Sequence, residues 1–427
     1  MDAQRQTRRL NRDKLDRGEQ VPHGGKQIVI PLSREHYQEF WDSPDRVRQH
    51  IDEWFQVAPE LFPPGFEQGY ALHGKGRESR KMPGIRLRKI VLANGSQFWL
   101  RPSFVMSYMM GDVDELSYPL LLAAHGVPAW LLVLGFGRSE MSWQRLLERL
   151  GRSSLVGTTV RDAARLPEHL AADEHHADWN GQEAYLAMTA AEGCILGLSL
   201  TAAADDKHLA RTYGDFATEA RELHPEYAPK TVNTDGWKPT QNAFQTLFPG
   251  IAIILCFLHG FLKIRDRCRQ NHDLHRRVWD IFRAPTAAEF RTRMSTFQSW
   301  FELQSFPQSV CDMVVKLKNK TEEYVVAYNH PGCRRTSNAV DRPMNRLYRW
   351  LYAGRGLHGH QASSERRLRG LALLHNFRNF APRSNQQRKH FCPAHRLSGK
   401  HYHDHWLHNL MTATSLLGRP KLTPAIR

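Results

Sequence analysis

Residues 169–200, HLAADEHHADWNGQEAYLAMTAAEGCILGLSL, contain three short apolar runs: HLAADEHHAD (169–178), AYLAMTAA (184–191) and GCILGLSL (193–200). The dipeptide Asn180-Gly181 separates the first two runs, and Glu192-Gly193 separates the last two. Short turns of this kind, ending in glycine, connect neighbouring antiparallel strands. The stretch therefore predicts three consecutive antiparallel strands, a β-meander.

After this meander the chain alternates between helical and strand patterns. The segments are a helix (205–223), a short strand (230–234), a second helix (239–248) and a second strand (250–257). Three antiparallel strands followed by alternating helices and strands are the element order of an RNase H-like fold. We therefore expect an α+β or α/β protein with a mixed five-stranded sheet, in which acids at the ends of the first and fourth strands lie side by side.

Two aspartates occupy those two strand positions. Asp173 lies in the first predicted strand, and Asp235 follows the fourth strand at its C-terminal edge, where polar sites are commonly built. Paired carboxylates suit Mg²⁺, and two such ions can support phosphoryl transfer. Asp235-Gly236 is alternatively a plain turn. Asp173 also has nearby acidic rivals: Glu174, Asp178 and Asp162.

The overall charge points to a polyanionic partner. The 427 residues carry a net charge of +16, with a pI of about 9.7. Nucleic acid is the partner that such a balance favours, although a basic protein with no such partner is the alternative. Six cysteines without a Cys-x-x-Cys pair argue against a disulfide framework and suit a reducing compartment.

Two apolar stretches, 118–137 and 247–264, approach the length of a membrane span. Each contains interrupting glycine, proline or histidine residues, so a buried strand or helix is the better interpretation. The N-terminus lacks the apolar core of a signal peptide. We expect a cytoplasmic protein without a membrane partner.

Residues 112–152 predict three short helices joined by glycine turns, as in a helix-turn-helix. The third helix opens with Ser139 as N-cap, and its predicted apolar face is Met141, Leu146, Leu147 and Leu150. An ordinary helical subdomain is the alternative. The proposed DNA-contacting side chains of this region are Arg138, Gln144, Arg145, Arg149 and Arg152.

These patterns predict seven regions along the chain. They are a basic disordered arm (1–25), a mixed region (26–111), a helix-turn-helix-like DNA-binding region (112–155), the first part of the catalytic core (156–264), a helical insertion (265–335), the closing helices of the core (336–382) and a basic tail (383–427).

Three motifs resemble a known family. VNTDGW (232–237), CFLH (256–259) and RTSNAVDRPMNRL (335–347) resemble DDE transposases of the Mutator-like and related insertion-sequence kind. Those enzymes have an RNase H-like core, a Cys/Asp-x-x-His motif after the second acid and a helical insertion before the third. The resemblance covers about 155–382, with 62 residues from Asp173 to Asp235 and 106 from Asp235 to Asp341.

The resemblance implies that Asp173, Asp235 and Asp341 ligate two Mg²⁺ or Mn²⁺ ions. Cys256 and His259 fill the Cys-x-x-His motif, for which a packing and orienting role is favoured. Asp341 departs from the glutamate that the family more often has, and Asn345 follows it by four residues. Asp341 is alternatively a helix N-cap. Its rivals as the third acid are Glu322, Glu323 and Glu365.

The resemblance also implies a function: DNA strand cleavage and strand transfer at the ends of a mobile element. Double-stranded DNA, as terminal repeats and as target, would be the partner, bound by a dimer or larger assembly associated with the nucleoid or, in a eukaryotic host, in the nucleus. Alternatives are an inactive, transposase-derived DNA-binding protein and a nuclease without strand transfer.

Further DNA contacts are predicted outside the helix-turn-helix-like region. Trp237, beside the second acid, and Trp279 and Trp300 are candidates for stacking on a base, with core packing as the favoured alternative. Basic side chains near the end of the core are candidate phosphate clamps: Arg366, Arg367 and Arg369. The histidine-rich run 401–409 does not by itself indicate a metal site.

Overall fold

A computed structural model describes residues 26–386 and 389–419, so the predicted arm at 1–25 lies outside the described residues. The chain divides into two compact units. One comprises Met1–Tyr118 together with His401–Arg427, and the other comprises Pro119–Lys400. We call them the N-terminal unit and the core unit. The C-terminal segment from His401 therefore belongs with the beginning of the chain.

The first part of the chain forms a four-stranded sheet with helices. In order the elements are β1 (Gln27–Ile30), α1 (Tyr37–Asp42), α2 (Pro44–Val57), β2 (Tyr70–Lys75), β3 (Arg88–Leu92), β4 (Gln97–Pro102) and α3 (Val113–Ala124). The strand order is β1-β4-β3-β2, with β1 parallel to β4 and the other pairs antiparallel. The N-terminal unit ends inside α3, at Tyr118.

The next part carries the five-stranded sheet. Its elements are α4 (Ala129–Phe136), α5 (Glu140–Leu150), α6 (Leu155–Val160), β5 (His169–Trp179), β6 (Gln182–Ala191), β7 (Cys194–Thr201), α7 (Asp206–Leu223), β8 (Thr231–Thr234), α8 (Lys238–Leu247) and β9 (Ala252–Leu255). The strand order is β7-β6-β5-β8-β9, in which β5, β6 and β7 are antiparallel while β5, β8 and β9 are parallel. The predicted mixed five-stranded sheet is confirmed, and its order is compatible with an RNase H-like fold.

The two hairpins of the meander form for a local reason. Asn180 and Gly181 both have positive φ (55° and 77°), as do Glu192 and Gly193 (48° and 82°). Two consecutive residues with positive φ produce a turn whose twist matches that of the flanking strands. The turns thus fix the register that pairs Asp173 with Met188 on β6.

Helices α7 and α8 bury their apolar faces in one core with the sheet. Leu209, Tyr213, Phe216 and Phe244 are members of this cluster, together with Val232 from β8. Strand β8 is buried along its whole length, as expected for a parallel strand inside a covered sheet. The position of Asp235 is therefore set by a rigid strand.

The remaining segments are helical. They are α9 (Phe257–Arg267), α10 (His272–Phe282), α11 (Ala287–Glu302), α12 (Gln308–Asn319), α13 (Thr321–Val325), α14 (Asn338–Ala353), α15 (Gln361–Phe377), α16 (Pro393–Ser398) and α17 (Trp406–Ala413). Helices α9 to α13 share a second apolar core, as expected for a helical insertion. Helix α14 packs against β5 and β6.

Helix α5 lies very close to α15. A methyl group on Gly370 would lie 2.2 Å from the Leu147 carbonyl oxygen, and one on Gly151 would lie 1.8 Å from that of Arg366. Only glycine fits at these two contacts. Ser139 caps α5 as predicted, accepting a hydrogen bond from the Ser142 backbone N–H (3.3 Å).

The predicted apolar face of α5 needs one correction. Leu146, Leu147 and Leu150 are buried, but Met141 is 51% exposed and Trp143 is buried instead. The position two residues after Met141 faces the core because the i, i+3, i+4, i+7 pattern begins at Trp143.

Neither apolar stretch forms a spanning helix. The first divides between α3 and α4, and the second between β9 and α9. Among residues 26–386 and 389–419, every helix is too short or too polar to cross a membrane.

Candidate active site

The first acid, Asp173, lies on β5 and is partly buried. Successive side chains of a strand point to opposite faces of the sheet. Its neighbour Glu174 accepts hydrogen bonds from the hydroxyls of Tyr213 on α7 and Thr240 on α8 (2.7 Å for Thr240). Glu174 therefore has a structural partner on each covering helix, whereas Asp173 faces the opposite side of the sheet.

The second acid, Asp235, follows β8 directly. Its Oδ1 accepts a hydrogen bond from the Trp237 backbone N–H (2.8 Å), which closes a turn over Gly236. Gly236 has φ +100°, and a methyl group there would lie 2.8 Å from Leu255 and 3.3 Å from the Lys320 ammonium nitrogen. The turn and the ligand role are compatible, because the turn uses one carboxylate oxygen.

The third acid, Asp341, lies in the first turn of α14. The N-cap residue of this helix is Ser337, so the alternative that Asp341 is the N-cap is wrong. The Ser337 hydroxyl donates a hydrogen bond to Asp341 Oδ2 (2.8 Å), and the Asp341 N–H donates to the Ser337 carbonyl oxygen (3.0 Å). These two bonds hold the carboxylate at the N-terminal end of the helix.

The three acids, which we call the acid cluster, act on one another electrostatically. Burial raises the pKa of Asp173 to about 7, and the charges of Asp235, Glu174 and Asp341 add to this rise. The charge of His259 lowers this pKa only in part. The structure thus brings Asp173, Asp235 and Asp341 into one region of negative charge at the sheet.

A hydrogen-bonded network supports the third acid from behind. Cys256 Sγ accepts a hydrogen bond from the Ser337 N–H (3.1 Å) and lies 3.3 Å from Ser337 Oγ. His259 Nδ1 lies 3.4 Å from the same hydroxyl. The Cys-x-x-His motif therefore reaches Asp341 through Ser337, which agrees with an orienting role for the two residues.

The same network favours the protonated, positively charged form of His259. The hydrogen bond with Cys256 raises the pKa of His259 to about 9, and the negative charges of Asp173 and Asp341 favour the same protonated form. Burial raises the pKa of the Cys256 thiol, but hydrogen bonds with His259 and Ser337 outweigh it and lower the pKa overall. His259 thus supplies a positive charge beside the acid cluster.

The donor chemistry of the acid cluster fits divalent magnesium or manganese. All three side chains offer carboxylate oxygen, the ligand that hard cations prefer. The oxygens of the three acids do not all lie within 4.8 Å of one another, so no single ion is enclosed by all three. Two ions, which lie about 3.5–4 Å apart in two-metal sites, would each need only some of these acids as ligands.

Most of the acidic rivals have structural partners. Asp178 accepts from the Gly181 N–H and Asp162 from the Ala164 N–H, so each stabilises a turn. Glu322 forms a two-bonded ion pair with Arg291 (2.7 and 2.8 Å). Glu365 accepts a hydrogen bond from Gln361 (3.1 Å). Glu323 is exposed on α13.

Two of the predicted phosphate clamps are engaged inside the protein. Arg367 is 5% exposed and donates hydrogen bonds to Gln144 (3.2 Å) and Ser364 (3.0 Å). Arg369 donates to the carbonyl oxygens of Gly151 and Ser153 (3.1 Å each) and pairs with Glu219. Their guanidinium groups hold α15 to α5, so we withdraw Arg367, Arg369 and Gln144 as DNA contacts.

The other predicted contacts lie in more open positions. Arg138, Arg145 and Arg152 are exposed, while Arg149 and Arg366 are partly buried. Trp237 is 51% exposed, so the alternative that it packs in the core is wrong. Asn345 is exposed on α14, four residues after Asp341.

Four basic residues were not predicted from the sequence: Lys320, which lies beside the turn after β8, and Arg342, Arg346 and Arg349 on the helix that carries Asp341. Lys320 lies beside Gly236, as described above. The three arginines follow Asp341 on α14, and burial with the charges of Arg349 and Arg342 lowers the pKa of Arg346. Their spacing of four and three residues places them on one helix face and is a signal that the sequence contains.

Neither a protein-family model nor a curated protein matches the chain. The description of this site therefore rests on its geometry and electrostatics.

Proposed function

We propose that the core unit is a metal-dependent polynucleotidyl transferase of the DDE transposase type, which cleaves DNA strands and joins them to a target. The observation that supports this most is the acid cluster. Three acids from β5, from the end of β8 and from α14 lie beside the same sheet, and burial, together with the charges of the neighbouring acids, raises the pKa of Asp173 to about 7.

The three acids have different roles in this proposal. Asp173 is the shared ligand, because the charges of both other acids act on it. Asp235 and Asp341 each complete one of the two ion sites. Two divalent ions bound there would stabilise the attacking and leaving oxygens of an in-line phosphoryl transfer. Ser337 and His259 orient the Asp341 carboxylate.

A row of basic side chains that begins near Asp235 and Asp341, with Lys320 and Arg342, suits a DNA backbone. Lys320 approaches the turn after β8, and Arg342, Arg346 and Arg349 extend along α14. The side chain of Arg349 lies 3.4 Å from the position of a methyl group on Gly126, in the loop before α4. We assign the phosphates nearest the scissile bond to this row of side chains.

The exposed arginines of the helix-turn-helix-like region would then contact DNA farther from the acids. They are Arg138, Arg145 and Arg152. Trp237 stands next to Asp235 with half of its side chain exposed, which suits stacking on a base freed by strand cleavage. Because two ends must be joined, the active form would contain at least two copies of the chain.

A joining assay tests the proposal. The purified full chain is incubated with Mn²⁺ and DNA that carries the inverted repeats flanking its gene, and joined products are measured. Asp235→Asn keeps a side-chain oxygen for the turn and should retain DNA binding, but joining should fall below detection. Asp266→Asn, an exposed acid paired with Arg265 (3.0 Å), is the matched control and should join normally.

Each other outcome has a definite meaning. Joining by Asp235→Asn at the wild-type rate would remove Asp235 from the mechanism. Cleavage without joining would identify a nuclease. DNA binding without cleavage by the wild-type protein would identify a binding protein that lacks activity.

A further inference from the structure

A second group of ligating side chains lies within the N-terminal unit. One carboxylate oxygen of Asp114 and one ring nitrogen each of His405 and His408 all lie within 4.8 Å of one another. We call these three residues the histidine group. Among the residues that the structure describes, no other set of three His, Cys, Asp or Glu side chains meets this distance condition.

The ligand geometry is largely formed. Asp114 Oδ1 lies 3.0 Å from His408 Nε2, and the side chain of His408 is only 5% exposed. The His405 and His408 rings lie nearly perpendicular, with centroids 5.1 Å apart. A zinc ion lies about 2.0–2.2 Å from nitrogen and oxygen ligands, so only small side-chain adjustments would bring all three into contact with it.

His408 also has the outer partner that metal-bound histidines need. Its other ring nitrogen, Nδ1, lies 2.9 Å from the Ser103 hydroxyl oxygen. A ligating histidine usually donates its second N–H to such an acceptor, which fixes the orientation of the ring. When an ion is bound, Nδ1 can donate to Ser103 while Nε2 presents its lone pair to the ion; without the ion, Nε2 can carry the proton and donate it to Asp114.

We infer that Asp114, His405 and His408 form a binding site for zinc or a similar divalent transition metal. Two imidazoles and one carboxylate are ligands typical of zinc, whereas magnesium prefers oxygen alone. Three protein ligands with an exposed carboxylate leave a fourth position for water. The bound ion would connect the first turn of α3 to the first turn of α17, across 294 residues of sequence between Asp114 and His408.

The site does not depend on the proposed enzymatic function. It lies in the N-terminal unit, and its expected role is to hold the C-terminal segment in place. His403 stacks on His408 with centroids 4.5 Å apart, so three imidazoles share this small region. A metal ion bound here would hold the C-terminal segment in place, whatever reaction the core unit performs.

A metal-binding titration tests the site. The full chain is purified without a histidine tag, freed of metal with a chelator, and titrated with Zn²⁺ against a chromophoric competitor. One zinc ion should bind per chain, and Co²⁺ should give the visible absorption bands of a four-coordinate site. Asp114→Asn and His405→Gln should each weaken zinc binding more than tenfold, since even outer partners contribute about 10–100-fold.

Two exposed residues of the same unit serve as matched controls. Asp45→Asn and His73→Gln should bind zinc as the wild-type protein does. Circular dichroism of the metal-free variants verifies that each is folded, and zinc should raise the midpoint of thermal unfolding for the wild type but not for Asp114→Asn. Absence of zinc binding, or equal binding by all variants, would overturn the inference and leave Asp114 and His408 as a hydrogen-bonded pair.

Discussion

The acid cluster of the core unit and the histidine group of the N-terminal unit differ in what surrounds their carboxyl groups. Asp173, the centre of the first, carries a carboxyl group whose pKa is raised to about 7 by burial and by other acids. Asp114, in the second, lies 3.0 Å from the Nε2 of His408 and is largely exposed. The first is short of positive charge, and the second contains its own hydrogen-bonding partner.

This difference predicts which ions each cluster should bind and what substitution of its ligands should change. Carboxylates alone favour hard cations, and their repulsion means that bound ions relieve an unfavourable charge. Imidazoles favour zinc and act mainly by connecting two distant segments. Substitutions in the acid cluster should therefore change activity and pH dependence, and those in the histidine group should change stability.

The largest expected effect comes from Asp173→Asn. Removing the shared ligand should lower strand cleavage at least about 10³-fold, because metal ions contribute several kcal/mol to such reactions and each 1.4 kcal/mol is about tenfold. The adjacent Glu174→Gln should stay within a few-fold of wild type, since glutamine can still accept from Tyr213 and Thr240. Single-turnover cleavage with Mn²⁺ measures both. Equal losses of cleavage rate in the two variants would contradict the assignment of Asp173, rather than Glu174, as a metal ligand.

A smaller effect is expected from Ser337→Ala. Its hydroxyl connects Cys256 and His259 to Asp341, and loss of such outer contacts at metal sites typically costs about 10–100-fold. Because the residue positions a ligand, the Mn²⁺ concentration for half-maximal cleavage should rise as well. Ser363→Ala, at a partly buried serine on α15, is the control. A rate change without any change in metal dependence would argue against the positioning role.

The sheet, and the positions of Asp173 and Asp235 on it, could be predicted from the sequence because the decisive signals are local. Glycine turns separate the strands of the meander, and Asp235 follows a short β-branched run directly. The position of the third acid needed the motif resemblance, since helix α14 meets β5 only through tertiary packing.

Other features could not be predicted because they depend on contacts between distant segments. The Val29 N–H donates to Ser415 Oγ across 386 residues, and no periodicity of either segment reveals this pairing. The arginines of α15 illustrate the same limit. Counting charges cannot distinguish an exposed phosphate clamp from Arg367, which is buried and hydrogen-bonded to Gln144.

The metal affinity of the acid cluster should depend on pH, by about one order of magnitude per pH unit. A proton on Asp173 competes with the ion, so Mg²⁺ or Mn²⁺ affinity should rise up to about tenfold per pH unit below pH 7 and level off above it. Isothermal titration with Mn²⁺ at pH 6 and pH 8 measures the change. Glu174→Gln should keep the rise in affinity but level off at a lower pH, because the charge of Glu174 contributes to the raised pKa of Asp173. A flat profile would mean that Asp173 does not bind the ion as a carboxylate.

The smallest expected effect is a change in the free energy of unfolding of the metal-free protein. Substitution of Asp173 should increase it, and substitution of Asp114 should not. Folding raises the pKa of Asp173 from its ordinary value near 3.8 to about 7, so folding favours the protonated form. The contribution of Asp173 to the free energy of unfolding is therefore most favourable below about pH 4, falls as the pH rises toward 7, and stays low above it. At pH 8 the ionised Asp173 destabilises the metal-free protein.

Asp173→Asn removes that ionised group and should raise the free energy of unfolding at pH 8 by about 1–3 kcal/mol. Each unit by which folding raises the pKa of Asp173 represents roughly 1.4 kcal/mol, and the substitution should recover part of the total. Asp114→Asn should not stabilise the metal-free protein, because Asp114 already has His408 as a partner (3.0 Å). Denaturant unfolding with EDTA at pH 5 and pH 8 compares the two variants, and the gain for Asp173→Asn should be smaller at pH 5. Stabilisation by both substitutions, or by neither, would mean that the two clusters do not differ in how their charge is compensated.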